Sequence, residues 1–339
     1  ILDTPLVPRA DVTGLFDDVG VPYERWTADM LETCVPGIDS GRYFPPKPVD
    51  DDAFADDATD RLGAIYTPDG GYVTDPQLAT QNLALAAQRN GAQFLFHQTV
   101  TGIEQQGGRV SGVALADGSR VSAGVLVNAA GPWSTSLNRL AGVGAEFTIS
   151  VRPLRQEVHQ VAAPRSFVDG DVSIVIADLD LGTYWRTAPG GFLLVGGTEP
   201  DCDPLEWVDD PDTATPRATG DSFRAQVTRL ARRLPELGVP NRPTGIAGVY
   251  DVAEDWTPIY DRTDLDGYYV AMGTSGNQFK NAPLVGGFIA ALVDAVENGH
   301  DHDVDPVPYK CDHTGQTVNL GVFSRKRAVK AESTHTVIG

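Results

Sequence analysis

The chain is poor in cysteine and lysine and has no long apolar run. Its three cysteines, Cys34, Cys202 and Cys311, are an odd number at wide spacing, which excludes a disulfide framework as the source of stability. A reducing cytoplasm is the expected setting. There are five lysines (Lys47, Lys280, Lys310, Lys326 and Lys330), and 26 basic residues face 46 carboxylates, for a net charge of -20. A surface of that sign repels phosphate backbones and anionic membranes, so nucleic acid is not an expected partner. Acidic runs such as VDDDAFADDATD and WVDDPDTATPRATGD suit a protein kept hydrated in concentrated salt, and a salt-loving source is expected. The longest apolar stretch, APLVGGFIAALV, is too short and too rich in glycine to span a bilayer, so no transmembrane segment is expected. His300, His302, Cys311 and His313 occur at spacings that match no zinc finger, and no metal is expected there.

The sharpest local pattern starts at Asp75. It can cap a helix with Pro76 in the first position, and PQLATQNLALAAQRN carries apolar residues at helical spacing up to Gly91, which predicts a helix over 76–90. AQFLFHQTV alternates as a strand does and ends at Val100. TGIEQQGGRVSGVALADGSRV offers tight turns at Gly107-Gly108 and Asp117-Gly118, which predicts an antiparallel meander. AGVLVNAAGPW reads as a strand buried on both faces and ending in small residues. These elements make half of a nucleotide-binding α/β domain. From 151 to 250 the runs RQEVHQVAA, VSIVIADL, TYWRTA and GFLLVGGTE read as strands of a larger sheet. A helix over about 221–234 carries Phe223, Val227 and Leu230 on one face and arginines elsewhere. The buried strand YYVAMG and a helix starting near Asn281 then return to the first domain.

Two loops can carry chemistry. In GTSGNQFKNAP, Gly273 and Gly276 permit close backbone approach ahead of a helix, whose N-terminus favours electron-rich groups, and Lys280 is the only cation. VLVNAAGPW also ends a strand without bulk, as if a flat or extended ligand passed over both strand ends. The dinucleotide fingerprint G-x-G-x-x-G is absent, so the chain shows no pyrophosphate cradle.

With GGYVTDPQLATQNLALAAQRNGAQFLFHQTV, TYWRTAPGGFLLVGGTEPD, GVYDVAEDWTPIYDR and YYVAMGTSGNQFKNAPLVGG, the chain resembles the FAD-dependent amine and amino-acid oxidoreductases of the D-amino-acid oxidase superfamily, including sarcosine oxidase, dimethylglycine dehydrogenase and glycine oxidase. The resemblance is collinear from about residue 5 to 325. It implies a mixed α/β fold in which an incomplete FAD-binding Rossmann-like domain with a β-meander (66–148 and 245–330) joins a substrate domain (1–65 and 149–244) built on a large mixed or antiparallel sheet with helices. Members of that family carry G-x-G-x-x-G in a βαβ unit ahead of these segments.

The same resemblance implies roles. Val100 would meet the adenine through its backbone, and Ala130, Gly131 and Trp133 would lie along the cofactor. Gly273, Gly276, Asn277 and Gln278 would place N–H groups at the flavin's pyrimidine edge. Lys280 matches a lysine that binds the substrate carboxylate, and Tyr184 and Tyr250 match tyrosines of the substrate cavity. From the strand pattern, Arg155 and His159 are candidates to face that cavity. Gly248 stands where sarcosine oxidase links its flavin to a cysteine, so FAD would be held non-covalently. Leu194 stands where the oxidase has its oxygen-activating lysine, which favours a dehydrogenase passing electrons to a protein or quinone. The implied reaction is oxidation of the C–N bond of a small amino acid or N-methylated amine. The alternatives are a 2-hydroxy acid or glycerol-phosphate dehydrogenase of the same superfamily, with His159 as base, and a truncated binding protein that does not hold FAD.

Overall fold

The computed structural model describes residues 1–330, 333 and 336. Helix α1 (Arg9–Val19), strand β1 (Glu24–Trp26) and helix α2 (Ala28–Cys34) come first, and β2 (Ala64–Tyr66) returns to pair antiparallel with β1. Trp26, Leu31, Val35 and Leu62 from this stretch are buried in one core with Trp185, Val195, Phe223 and Val227. Residues 1–66 are thus packed onto strands that come more than a hundred residues later.

Helix α3 (Pro76–Arg89) forms where Asp75 caps it: the Asp75 carboxylate accepts the Leu78 N–H at 3.0 Å, and Gly91 leaves at φ +93°. None of its residues is buried, and Leu78, Leu83 and Leu85 are exposed. The strand expected over 92–100 is not formed; Phe94 and Phe96 stack on each other in solvent at 5.7 Å. Val100 instead opens strand β3 (Val100–Gln106), which pairs with β4 (Arg109–Leu115) and through it with β5 (Arg120–Ser122). The meander and its turns therefore stand as the sequence implied, with Gly107, Gly108 and Gly118 at positive φ.

Strand β6 (Leu126–Asn128) corrects a second expectation. It is a short edge strand with Val127 39% exposed, because no described residue pairs with its outer edge. A short helix, α4 (Ser134–Ala141), follows it.

The large sheet is antiparallel throughout. Its long strand β7 (Val151–Ala162) is followed by helix α5 (Arg165–Asp169), and β8 (Val175–Asp178), β9 (Thr183–Ala188), β10 (Phe192–Gly197), β11 (Glu206–Trp207) and β12 (Gly245–Ala253) complete it. On one edge β7 pairs with β12. On the other it pairs with β10 over 158–162 and with β11 over 154–155, which leaves Gln156 and Glu157 without a partner strand on that side.

Helix α6 (Gly220–Arg233) covers one face of the sheet and buries Phe223, Val227 and Leu230. Its arginines are not all solvent-facing as the sequence pattern suggested. Arg233 is fully buried because Asp178 and Asp180 meet its guanidinium at 2.8 Å each, and buried Arg229 is held by Asp203 and the Lys47 carbonyl.

Strand β13 (Ile259–Arg262) then pairs with β14 (Tyr268–Met272), and β14 lies parallel to β6. Tyr268, Tyr269 and Val270 are completely or almost completely buried. Helix α7 (Ala282–Glu297) packs Phe288, Ile289 and Leu292 against Tyr260 and Tyr269. The helical stretch Phe279–Glu297 is long and apolar enough to cross a bilayer by length and composition, which the sequence stretch alone did not suggest. Strands β15 (Pro308–Lys310) and β16 (Thr317–Asn319) close the described chain as a small antiparallel pair.

Candidate active site

Side chains alternate between the faces of a strand, and antiparallel partners in register point the same way. Leu154, Val158 and Gln160 of β7 therefore share a face with Tyr250, Gly196 and Leu194, and Tyr184 joins them through its pairing with Gly196. Gly248, opposite Gln156, belongs to the same face, with open space where a side chain would be. This is the face turned away from α6.

Arg155 and His159 have the opposite parity, which corrects the expectation that they line the tyrosine cavity. The Arg155 guanidinium is taken up by Glu157 and Glu206, at 2.7 Å each, and by the carbonyls of Thr215 and Arg217 at 2.9 and 2.6 Å. That arrangement leaves no open fork for a substrate carboxylate. His159 is fully buried with its ring edge-on to Phe223 of α6 at 5.3 Å, and burial lowers its pKa despite the nearby Glu157. A base for a hydroxy acid on the tyrosine face is not supplied by it.

On the open face the phenols of Tyr184 and Tyr250 lie close enough for each to act on the other. Burial is the main cause that raises the pKa of both phenols, and the Glu199 carboxylate adds to it, so both remain protonated donors at neutral pH. Two glycines make their positions possible. A side chain at 196 would enter the Tyr184 ring, and one at 276 would enter the Tyr250 ring.

The loop after β14 is held from beneath by Asp251, which the sequence reading did not single out. Its buried carboxylate accepts the Gly273 N–H at 2.7 Å and the Thr274 hydroxyl, and its backbone carbonyl accepts the Ser275 N–H at 2.9 Å. The available signal was a single carboxylate inside the β-strand run GIAGVYDVA, at a position too buried for a solvated charge. Within the loop the Asn277 N–H is taken by the Thr274 carbonyl at 3.1 Å, so Gly273 and Asn277 do not offer free amides as expected. Among the described residues no acceptor meets the N–H groups of Gly276 and Gln278. The Gln278 carboxamide is fixed by Tyr260 and Asn281, at 3.1 and 2.6 Å.

Lys280 lies beyond this loop, at an open hollow of about 370 Å³ that it shares with Trp256, Asn277 and Gln278. Trp256 also packs with Tyr250 and Leu154 and so links the hollow to the tyrosine face. Loss of surrounding water lowers the Lys280 pKa, and no carboxylate pairs with it among the described residues. Ala130, Gly131 and Trp133 form the turn after β6. Gly131 is at φ +54° with open space around it, and Trp133 donates to Asp212 at 3.2 Å. This turn packs against β7 and β12, whereas Val100 sits in the meander, which packs on α4.

The comparisons with known proteins agree with this architecture. The family described as FAD dependent oxidoreductase matches residues 18–292. The mouse (Mus musculus) FAD-dependent oxidoreductase domain-containing protein 1 is 28% identical over 207 residues, 56% of this chain and 39% of that protein. The crystal structure of L-proline dehydrogenase from P. horikoshii superposes with a TM-score of 0.67 at 19% identity, covering 93% of this chain and 71% of that one. Glycine oxidase from Bacillus cereus ATCC 14579 superposes with a TM-score of 0.62 at 20% identity, covering 87% and 69%. The chain spans about half the length, or less, of the first curated relatives it matches. With the family matching more than two thirds of its residues, the chain belongs to the FAD dependent oxidoreductases of the D-amino-acid oxidase superfamily.

Proposed function

We propose that this protein oxidises the C–N bond of a small amino acid or N-methylated amine at the open face of its large sheet. The observation that carries the reading is the pair of neighbouring phenols on one face of the sheet, Tyr184 seated on Gly196 and Tyr250 on Gly276 of the loop after β14. The donor set fits a flavin: Gly276 and Gln278 offer two amides without internal acceptors, and Gly131 offers an open turn beside the sheet. When bound, FAD supplies a hydride acceptor. The Gly276 and Gln278 amides would donate to negative charge on the ring, and Ala130, Gly131 and Trp133 would lie along the cofactor. Kept protonated by burial, the phenols supply a hydrogen-bond donor that orients the substrate for hydride loss. Lys280 provides a cation for its carboxylate. The names of two structural neighbours, L-proline dehydrogenase and glycine oxidase, support an amino acid as the substrate class. Gly248 removes the option of a thioether at that position, and Leu194 on the open face favours an acceptor other than oxygen, such as a protein or quinone.

A second reading is favoured by a specific observation. The outer edge of β6 is unpaired among the described residues, and Leu78, Leu83, Leu85, Phe94 and Phe96 lie exposed on and beyond α3. With no G-x-G-x-x-G in this sequence, FAD would then be held only together with a further nucleotide-binding segment, and these residues alone would be a binding partner for it.

The test is a titration of the purified protein with FAD, followed by anaerobic addition of sarcosine, glycine, proline and D-amino acids. Bound flavin that bleaches with one of them, and reoxidises slowly in air, is the expected result. A protein that binds flavin but is bleached by none of these compounds overturns the C–N reading. A protein that stays colourless favours the second reading.

A further inference from the structure

Between the two phenols the strands of the open face carry a single polar side chain, Gln156. Tyr184 is level with Val158 through Gly196, and Tyr250 is level with Leu154, so Gln156 stands midway along β7, two residues from each. That is roughly 7 Å along the strand on either side. The hydroxyl end of the Tyr184 ring lies over Gly196 of β10, the strand between β9 and β7. Gln160, the next polar residue of this face, is level with Leu194 and falls beyond Tyr184, outside the interval.

Nothing crowds the amide. Gly248 faces it from β12 with open space where a side chain would be, and neither β10 nor β11 pairs with residue 156 on the other side. Its neighbours Arg155 and Glu157 are bonded to each other on the opposite face. The Gln156 carboxamide is half-buried and meets no hydrogen-bond partner among the described residues.

The proposed reaction needs such a group. Loss of hydride from carbon, with FAD as the oxidant, makes the second C–N bond of the imine from the nitrogen lone pair, so the amine reacts uncharged with that pair free. A donor on the lone pair opposes this, whereas an acceptor on the N–H holds the nitrogen without opposing it. The phenols are protonated donors, and an amide carbonyl is the better acceptor.

We infer that Gln156 is a specificity-determining residue whose Oε1 accepts the substrate N–H, so that the preferred substrates are amino acids with a primary or secondary nitrogen. This rests on the proposed C–N oxidation at the tyrosine pair. An uncharged tertiary amine such as N,N-dimethylglycine has no N–H and leaves the carbonyl without its partner.

The test is equilibrium calorimetry on the whole chain, with FAD and without oxygen, pairing each amine with its ether isostere: sarcosine with methoxyacetate, and proline with tetrahydrofuran-2-carboxylate. Every ionic form of these amines carries an N–H, and the ethers carry none. In Gln156→Met, which keeps the length and removes the amide, the amine-to-ether affinity ratio should fall about five- to tenfold, with ether binding within about twofold of wild type. Gln156→Glu keeps an acceptor and should hold the ratio at or above the wild-type value. An unchanged ratio in a folded Gln156→Met, even with both affinities lowered, overturns the inference, as does a wild type that binds neither ligand. Bleaching of the flavin by the same amines is scored apart. Bleaching with a ratio indifferent to residue 156 keeps the C–N reading and sinks the role of Gln156, and a ratio that follows residue 156 without bleaching does the reverse. Where the flavin bleaches, sarcosine should act about tenfold faster than N,N-dimethylglycine, and a preference for the tertiary amine also overturns the inference.

Discussion

The ring of Tyr250 occupies the space that a side chain on Gly276 would need, so the large sheet and the loop after β14 meet at a contact that only glycine permits. Gly276 is also at φ +72°. Gly276→Ala combines a left-handed backbone with an overlap, and a loss of about 1–3 kcal/mol is expected. Thermal denaturation measures the loss. An unchanged midpoint would mean that Tyr250 turns aside at no cost.

Asp251→Ala should cost about 1.5–3 kcal/mol, because it strands the buried Gly273 N–H and the Thr274 hydroxyl that the carboxylate now accepts. Asp251→Asn keeps one acceptor and should cost less. If the loop holds flavin, both variants also weaken FAD binding, in the same order. Urea unfolding and flavin fluorescence titration read the two effects independently, and wild-type stability in Asp251→Ala would show that the loop holds its shape without it.

Lys280→Met should raise the KM for an amino acid by roughly 10–100-fold, the worth of one charge-assisted hydrogen bond to a carboxylate, with little change for an amine lacking that group. Stability should not suffer. Loss of surrounding water lowers the Lys280 pKa, so the folded state binds this proton less tightly than the unfolded state does. The charged lysine therefore opposes folding at neutral pH, an effect relieved as pH rises through the lowered pKa. Lys280→Met is expected to be at least as stable as wild type at about pH 7, with the difference narrowing in alkali. Denaturation at several pH values tests this.

Acid should weaken the region around Arg325. Burial pushes the Asp303 pKa up, but hydrogen bonds and charge from Arg325 and Lys326 outweigh it and hold the carboxyl far below the usual range. A depressed folded-state pKa stabilises the fold above the unfolded value, near about 4, and that contribution is lost as pH falls further. The stability gap between wild type and Asp303→Asn should be flat from about pH 8 to 5 and close below about pH 4. A gap that persists in strong acid would rule out the ion pair as its source.

Salt should have the opposite effect to that seen for surfaces held by scattered ion pairs. With a net charge of -20, screening relieves self-repulsion of the compact state. The denaturation midpoint is expected to rise between about 0.1 M and 2 M KCl. A falling midpoint would show that pairs such as Arg61 with Asp29 and Glu32 outweigh the repulsion.

Elements governed by neighbours in sequence were legible without coordinates. Asp75, Pro76 and Gly91 delimit α3 by capping chemistry, and the turns at Gly107-Gly108 and Asp117-Gly118 set the meander, because each signal acts within a few residues. The glycine loop at 273–276 and the tyrosines at 184 and 250 were also visible as candidates, through their pattern and the family resemblance. What failed was inference about distant surroundings. The run 92–99 has the alternation of a strand but no pairing partner, and β6 has the apolar character of a buried strand but lies at an edge.

The sequence by itself determined the family, the acidic balance, helix α3 and the meander, since these depend on composition and on local signals. Tertiary structure alone decided which face each side chain serves. Parity along β7 turns Arg155 and His159 toward α6, and the register with β12 and β10 brings Tyr250 and Tyr184 together across strands that are 66 residues apart. The same register opens the gap beside Gln156 and Glu157. A strand's period of two is written in its own residues, but the offset at which it meets its partners is set by the packing of the whole sheet.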